Sequence, residues 1–132
     1  MARIAIVSYH SRKKELIEWA YEHRLALARH NIIAAGTAAG ILEGILDKEV
    51  EKLPSVLTGG DKQLADMIRE ERVDVVLFFC ETGKPNKRNG AIKQLIQLAT
   101  DRNLVMATNP ATAKVVLDSL KPRYEKYAFS YS

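Results

Sequence analysis

A chain of 132 residues with a net charge of +4 has the length of one domain, able to bury roughly two-thirds of its unfolded surface without disulfide staples. Its single cysteine, Cys80, excludes an internal disulfide framework and suits a reducing, cytoplasmic compartment. No apolar run approaches the ~20 residues that span a bilayer and no signal-peptide core is present, so no membrane partner is expected.

Arg3–Ser8, RIAIVS, is a β-branched run that predicts a buried strand, after which Leu16, Trp19, Ala20 and His23 fall on one helical face. Residues 31–35 predict a second strand. It is followed by Gly36-Thr37-Ala38-Ala39-Gly40 and a return to helical spacing at Ile41, Ile45 and Leu46. A weak third strand is expected over residues 50–54 and a helix over 62–71. Residues 73–79 form the clearest buried strand. Residues 81–90, ETGKPNKRNG, read as a mobile loop within the domain. A helix over 91–102 carries Ile92, Leu95, Ile96 and Ala99, and residues 105–107 predict a last strand. Pro110 suits a first helical turn, with Asn109 or Thr108 as cap for a helix through Leu117.

Strands alternating with helices imply right-handed crossovers and a parallel sheet covered on both faces. The expected fold is α/β: a single three-layer domain over residues 1–120 with a five-stranded parallel sheet, Rossmann-like, and residues 121–132 as a C-terminal tail. Ligands on such sheets bind beyond the carboxyl ends of the strands. That directs attention to residues 8–13, 35–40, 54–61, 79–90 and 107–112.

In the second of these loops, the free N–H groups of a strand-to-helix turn at Gly36 can hold phosphate, with the Thr37 hydroxyl as a further donor. Tight helix packing with Thr37 as a cap is the competing reading. Lys13 follows the first strand, where its ammonium can close over the same anion or simply be solvated. Gly59 and Gly60 let the backbone approach a ligand and set Asp61 at the mouth, unless Asp61 only caps its helix. Cys80 reads as a thiol packed at a strand end rather than a nucleophile. No metal and no cofactor are expected.

GGDKQ at 59–63 resembles the GGDxQ of methylglyoxal synthases. The similarity extends through IAIV at 4–7, Lys13, Trp19, AGT at 35–37, Ser55, VDVVLFF at 73–79, LAT at 98–100 and ATNPATA at 107–113. The resemblance implies a lyase: a carboxylate removes a carbon-bound proton from dihydroxyacetone phosphate, and the enediol intermediate expels phosphate to leave methylglyoxal. It assigns the base to Asp61 and the phosphate site to Lys13, Thr37 and Ser55; Gly36, Gly59 and Gly60, where the backbone can approach a ligand, complete the expected phosphate- and substrate-binding set. It also implies a homo-oligomer, possibly a hexamer.

Several positions depart from the family pattern. Tyr9-His10 replace His-Asp, Ala38 replaces a second threonine, and Val56-Leu57 replace the Gly-Pro after the serine. Glu81-Thr82 stand for Asp-Pro, and Arg88 and Ala91 stand for a loop His and Asp. Arg88 can donate to an enediolate but cannot relay its protons. His10 and Glu81 are then the candidates to complete a catalytic set with Asp61 and Arg88. The same departures suit a second reading, a regulatory module that binds a small phosphorylated metabolite, like similar domains in carbamoyl phosphate synthetase. A third, nucleic-acid binding through Lys84, Lys87, Arg88 and Lys93, rests on charge alone and is not favoured, because no aromatics interleave with the basic residues.

Overall fold

The structure, a computed structural model, describes residues 1–8, 10–80 and 87–120, with the side chains of His10, Leu57, Lys87 and Arg88 also outside the description. Its strands are β1 (Arg3–Ser8), β2 (Asn31–Ala35), β3 (Glu51–Leu53), β4 (Val75–Phe79) and β5 (Val105–Ala107). The helices are α1 (Lys13–Glu22), α2 (Arg24–Leu27), α3 (Thr37–Leu46), α4 (Gly60–Arg69), α5 (Lys87–Asp101) and α6 (Pro110–Ser119). All strand pairs are parallel, in the order β3-β2-β1-β4-β5. The chain builds outward from β1 to β3 on one side and then returns to lay β4 and β5 on the other. The order therefore reverses between β1 and β4.

Both faces of the sheet are buried, which explains why the central strands are continuously apolar rather than alternating. Ile4, Ile6, Val75, Leu77 and Phe79 pack on one face against Leu16, Trp19, Ala39, Leu42 and Leu117 of α1, α3 and α6. Ala5, Val7, Val76 and Phe78 pack on the other against Leu64, Met67, Ile68, Ile92 and Leu95 of α4 and α5. The expected α/β fold, a five-stranded parallel sheet with helices on both faces, is the fold observed.

The details differ at several places. β3 has three residues rather than five, as befits an edge strand with Glu51 and Lys52 exposed. β4 begins at Val75, because the Asp74 side chain instead turns back to accept from the Arg3 amide at 2.7 Å. On α3 the buried positions are Ala38, Ala39, Leu42 and Leu46. Ile41 and Ile45 are only half-buried: in a helix apolar on most sides, periodicity does not single out the inner face. α4 starts two residues early, at Gly60, and α5 four residues early, so 87–90 are helical rather than loop. Asn89 is buried within that first turn of α5. Asn109 is the cap of α6, its Oδ1 accepting from the Thr112 amide at 2.8 Å.

A polar peg closes the amino-terminal edge of the sheet. Buried His30 accepts the Ala2 amide at Nδ1 (3.1 Å), while Lys48 Nζ donates to the carbonyls of Ala28 (3.0 Å) and His30 (2.8 Å). Burial, together with the positive charges of the amino terminus, Lys48 and Arg29, lowers the His30 pKa from 6.5.

Candidate functional site

The sequence places its polar candidates where the parallel sheet ends. β1 runs through a short 3-10 turn (His10–Arg12) into α1, whose first residue is Lys13. β2 runs into Gly36, whose φ of 63° and ψ of −141° suit glycine and no residue with a Cβ. Gly36 is the residue before α3, and Thr37 is its first helical residue; Thr37 is not the cap, and no side-chain cap bond forms there. The Thr37 hydroxyl and the Lys13 ammonium make no hydrogen bond or ion pair with another described residue. Thr37 thus stands at the positive end of a ten-residue helix, and Lys13 opens the helix that follows the neighbouring strand β1.

The turn from β3 to α4 supplies the third donor and the carboxylate. A Cβ added at Gly36 would meet Ser55 Cβ at 3.5 Å, so Ser55 packs directly on the Gly36-Thr37 turn. The Ser55 hydroxyl is 2.7 Å from Thr58 Oγ1, and Thr58 Oγ1 also donates to the Ser55 carbonyl at 3.2 Å. Residues Val56–Thr58 form a 3-10 turn closed by Thr58 N and Gly60 N donating to that same carbonyl, each at 3.0 Å. Gly59 then adopts φ 110° and precedes α4.

Asp61 is the second residue of α4, in its positive first turn. Its carboxylate caps nothing and has no hydrogen bond or ion pair among the described residues. A cap role is thus not what holds Asp61 in place.

Cavity size points elsewhere. A groove of about 590 Å³ lies around the amino ends of the strands, lined by Arg3, Asn31, Glu49, Glu51 and Arg72 among others. It presents ion-paired and solvated side chains of both signs and no convergent set of donors. A second groove, of about 380 Å³ between α4 and α5, reaches Asp61 at one end, over Ala65, Ala91 and Leu95. Lys13, Thr37 and Ser55 do not line it. We place the candidate site by its chemistry, three donors and a carboxylate with no partner among the described residues at the carboxyl edge of the sheet, rather than by volume.

The other sequence candidates separate from this group. Glu81 and the side chains of His10 and Arg88 lie outside the described residues, as do Tyr9, Lys84 and the side chain of Lys87. Lys93 is exposed on α5. Cys80 is half-buried at the end of β4, its thiol donating to the Val7 carbonyl at 3.4 Å, as a packed strand-end cysteine should. Among the described residues no group of three His, Cys, Asp or Glu side chains could hold a metal ion, and no helix is long and apolar enough to cross a membrane. Sequence reasoning missed Thr58. Its only signal was the S-x-x-T spacing of 55–58, common in tight turns.

Comparison with known proteins places this geometry in context. No family model matches the chain. The methylglyoxal synthase of Pseudoalteromonas atlantica is 34% identical over 116 residues, spanning 88% of this chain and 86% of that protein. That of Saccharophagus degradans is 32% identical over 131 residues, spanning 98% and 85%. The crystal structure of methylglyoxal synthase from Elizabethkingia anophelis NUHP1 superposes with a TM-score of 0.81 at 32% identity, covering 96% of this chain and 90% of that one. Similarity of this extent in sequence and in fold, spanning the turns that carry Lys13, Thr37, Ser55 and Asp61, shows that the chain belongs to the methylglyoxal synthase family.

Proposed function

We propose that the chain converts dihydroxyacetone phosphate to methylglyoxal and phosphate, with Asp61 as the base and Lys13, Thr37 and Ser55 as the phosphate grip. The observation that carries this reading is the Asp61 carboxylate, unpaired among the described residues and one residue beyond the Gly60 amide that is bonded to the Ser55 carbonyl. A carboxylate held beside an anion-binding turn has little structural reason to stay unpaired. It has a chemical one.

In this reading the donors at the ends of β1, β2 and β3 hold the phosphoryl group and fix the adjacent three-carbon unit against Asp61. Asp61 takes the proton from the hydroxyl-bearing carbon, and the C–H electron pair forms the enediolate while charge moves to the former carbonyl oxygen. The hydroxyl on the deprotonated carbon then loses its proton and its oxygen forms the aldehyde C=O, while the enediol double bond shifts one carbon along. The carbon–oxygen bond to phosphate breaks, and phosphate leaves with that electron pair to give the enol of methylglyoxal. Protonation at the former phosphate-bearing carbon completes methylglyoxal. The phosphate grip contributes most as negative charge builds on the departing group.

Arg88 as a donor to the enediolate, His10 as a proton relay and Glu81 as a second carboxylate remain catalytic candidates of this reading; Glu81 and the side chains of the other two lie outside the described residues. Self-association, up to a hexamer, is also part of it and is read by sedimentation. Incubation with dihydroxyacetone phosphate tests the reaction: methylglyoxal and phosphate should appear in equal amounts. Tight phosphate binding with no methylglyoxal would instead favour the regulatory module.

A further inference from the structure

We propose that Thr58 is a positioning residue for anion binding, donating its hydroxyl hydrogen bond to Ser55 Oγ so that the Ser55 hydroxyl is free to donate to phosphate. This rests on the proposed phosphate site at Ser55. The two hydroxyl oxygens are 2.7 Å apart, and either can be the donor. At the same time Thr58 Oγ1 lies 3.2 Å from the Ser55 carbonyl oxygen as a donor.

A hydroxyl has one proton, so the two contacts define two states. With Thr58 donating to the carbonyl, Ser55 donates to Thr58 and its own proton is occupied. With Thr58 donating to Ser55 Oγ, the Ser55 proton is free to point at an anion. The Ser55 carbonyl already accepts the amides of Thr58 and Gly60, both at 3.0 Å. A carbonyl oxygen has two lone pairs, so the Thr58 hydroxyl is its third and longest donor. That bond is the easiest of the three to give up.

An arriving phosphate then draws the Ser55 proton, and Thr58 turns its own proton onto Ser55 Oγ over the shorter distance. The relayed bond makes Ser55 a better donor than a lone serine, since linked hydrogen bonds polarise one another. The 2.7 Å contact between the two hydroxyls, whichever of them donates, also favours one Ser55 rotamer before the anion arrives. Val56 and Leu57 stand where the resemblance has Gly-Pro, so a close backbone approach is lost in the same turn that Thr58 reinforces.

The test uses the full chain and inorganic phosphate, measured by titration calorimetry on Thr58→Val, Thr58→Ser, Ser55→Ala and the Ser55→Ala/Thr58→Val pair. Thr58 is exposed, so melting temperatures should stay near wild type; should Val prove unstable, Thr58→Ala removes the same hydroxyl. Thr58→Val should weaken phosphate binding about three- to tenfold, the scale of one linked hydrogen bond. Thr58→Ser should restore it, and the Val change should cost nothing further once Ser55 is Ala. Wild-type affinity in Thr58→Val, failure of Ser to rescue, or an undiminished loss in the Ser55→Ala background would overturn the Thr58 role while leaving the site standing. Unchanged affinity in Ser55→Ala alone overturns the phosphate site itself, and Thr58's role with it.

Discussion

Gly60 lies directly against the carbonyl of Pro54: a Cβ placed there would overlap the Pro54 oxygen and stand 2.9 Å from that of Ser55. Both obstacles are backbone atoms, which cannot swing aside as a side chain can. The first turn of α4, and with it Asp61, can therefore approach β3 only through a glycine. Gly60→Ala should cost about 2–4 kcal/mol of stability, the upper range for overpacking. Chemical denaturation checks this. A midpoint equal to wild type would mean that α4 does not sit where Asp61 needs it.

Lys13→Ala should weaken phosphate binding by about 1.5–3 kcal/mol, the scale of a hydrogen bond to a charged group. The loss should shrink as salt rises, because screening already weakens the ion contact in the wild type. Calorimetric titration at low and high salt measures both. Equal affinity of wild type and variant at low salt would remove Lys13 from the site.

Much of this architecture was legible because the forces that set it are local or repetitive. β1, β2 and β5 were read to the residue, since short β-branched runs between turn signals leave few alternatives. The start of α4 was misplaced because its cap is Gly59, which offers no side-chain signal. α5 was started late because its opening Lys-Arg-Asn-Gly resembles a loop; burial of Asn89, a tertiary effect, decides otherwise. In the candidate site, Gly36, Gly60 and Asp61 each had a common structural use besides the functional one, and the resemblance that GGDKQ makes visible, rather than residue type alone, singled them out. The hydroxyl pair of Ser55 and Thr58 was not visible, because it depends on a 3-10 turn that the spacing alone does not specify.

Acid should loosen the amino-terminal edge of the sheet before it affects any carboxylate. The folded state binds the His30 proton less well than the unfolded chain, since its pKa is lowered from 6.5 by burial and nearby cations. Protonation also adds a proton to Nδ1, which now accepts the Ala2 amide. Stability should therefore be full above about pH 7 and fall as pH drops through the range below 6.5. Glu43, held low by its bond to Lys52 and the Val50 amide, adds a separate loss only below its ordinary 4.5. Urea midpoints against pH, compared with His30→Gln, should show the upper step in the wild type and a flatter profile in the variant. An identical step in both would assign it to another group.

The central claim is that Asp61 is a base, and one paired assay tests it most directly: methylglyoxal formation from dihydroxyacetone phosphate by wild type and Asp61→Asn, with phosphate affinity and melting temperature measured on the same samples. The Asn side chain keeps the shape and one oxygen but cannot take a proton at carbon. Turnover should fall about two to four orders of magnitude, the usual worth of a general base, while affinity and stability stay near wild type. Full activity in Asp61→Asn would contradict the account.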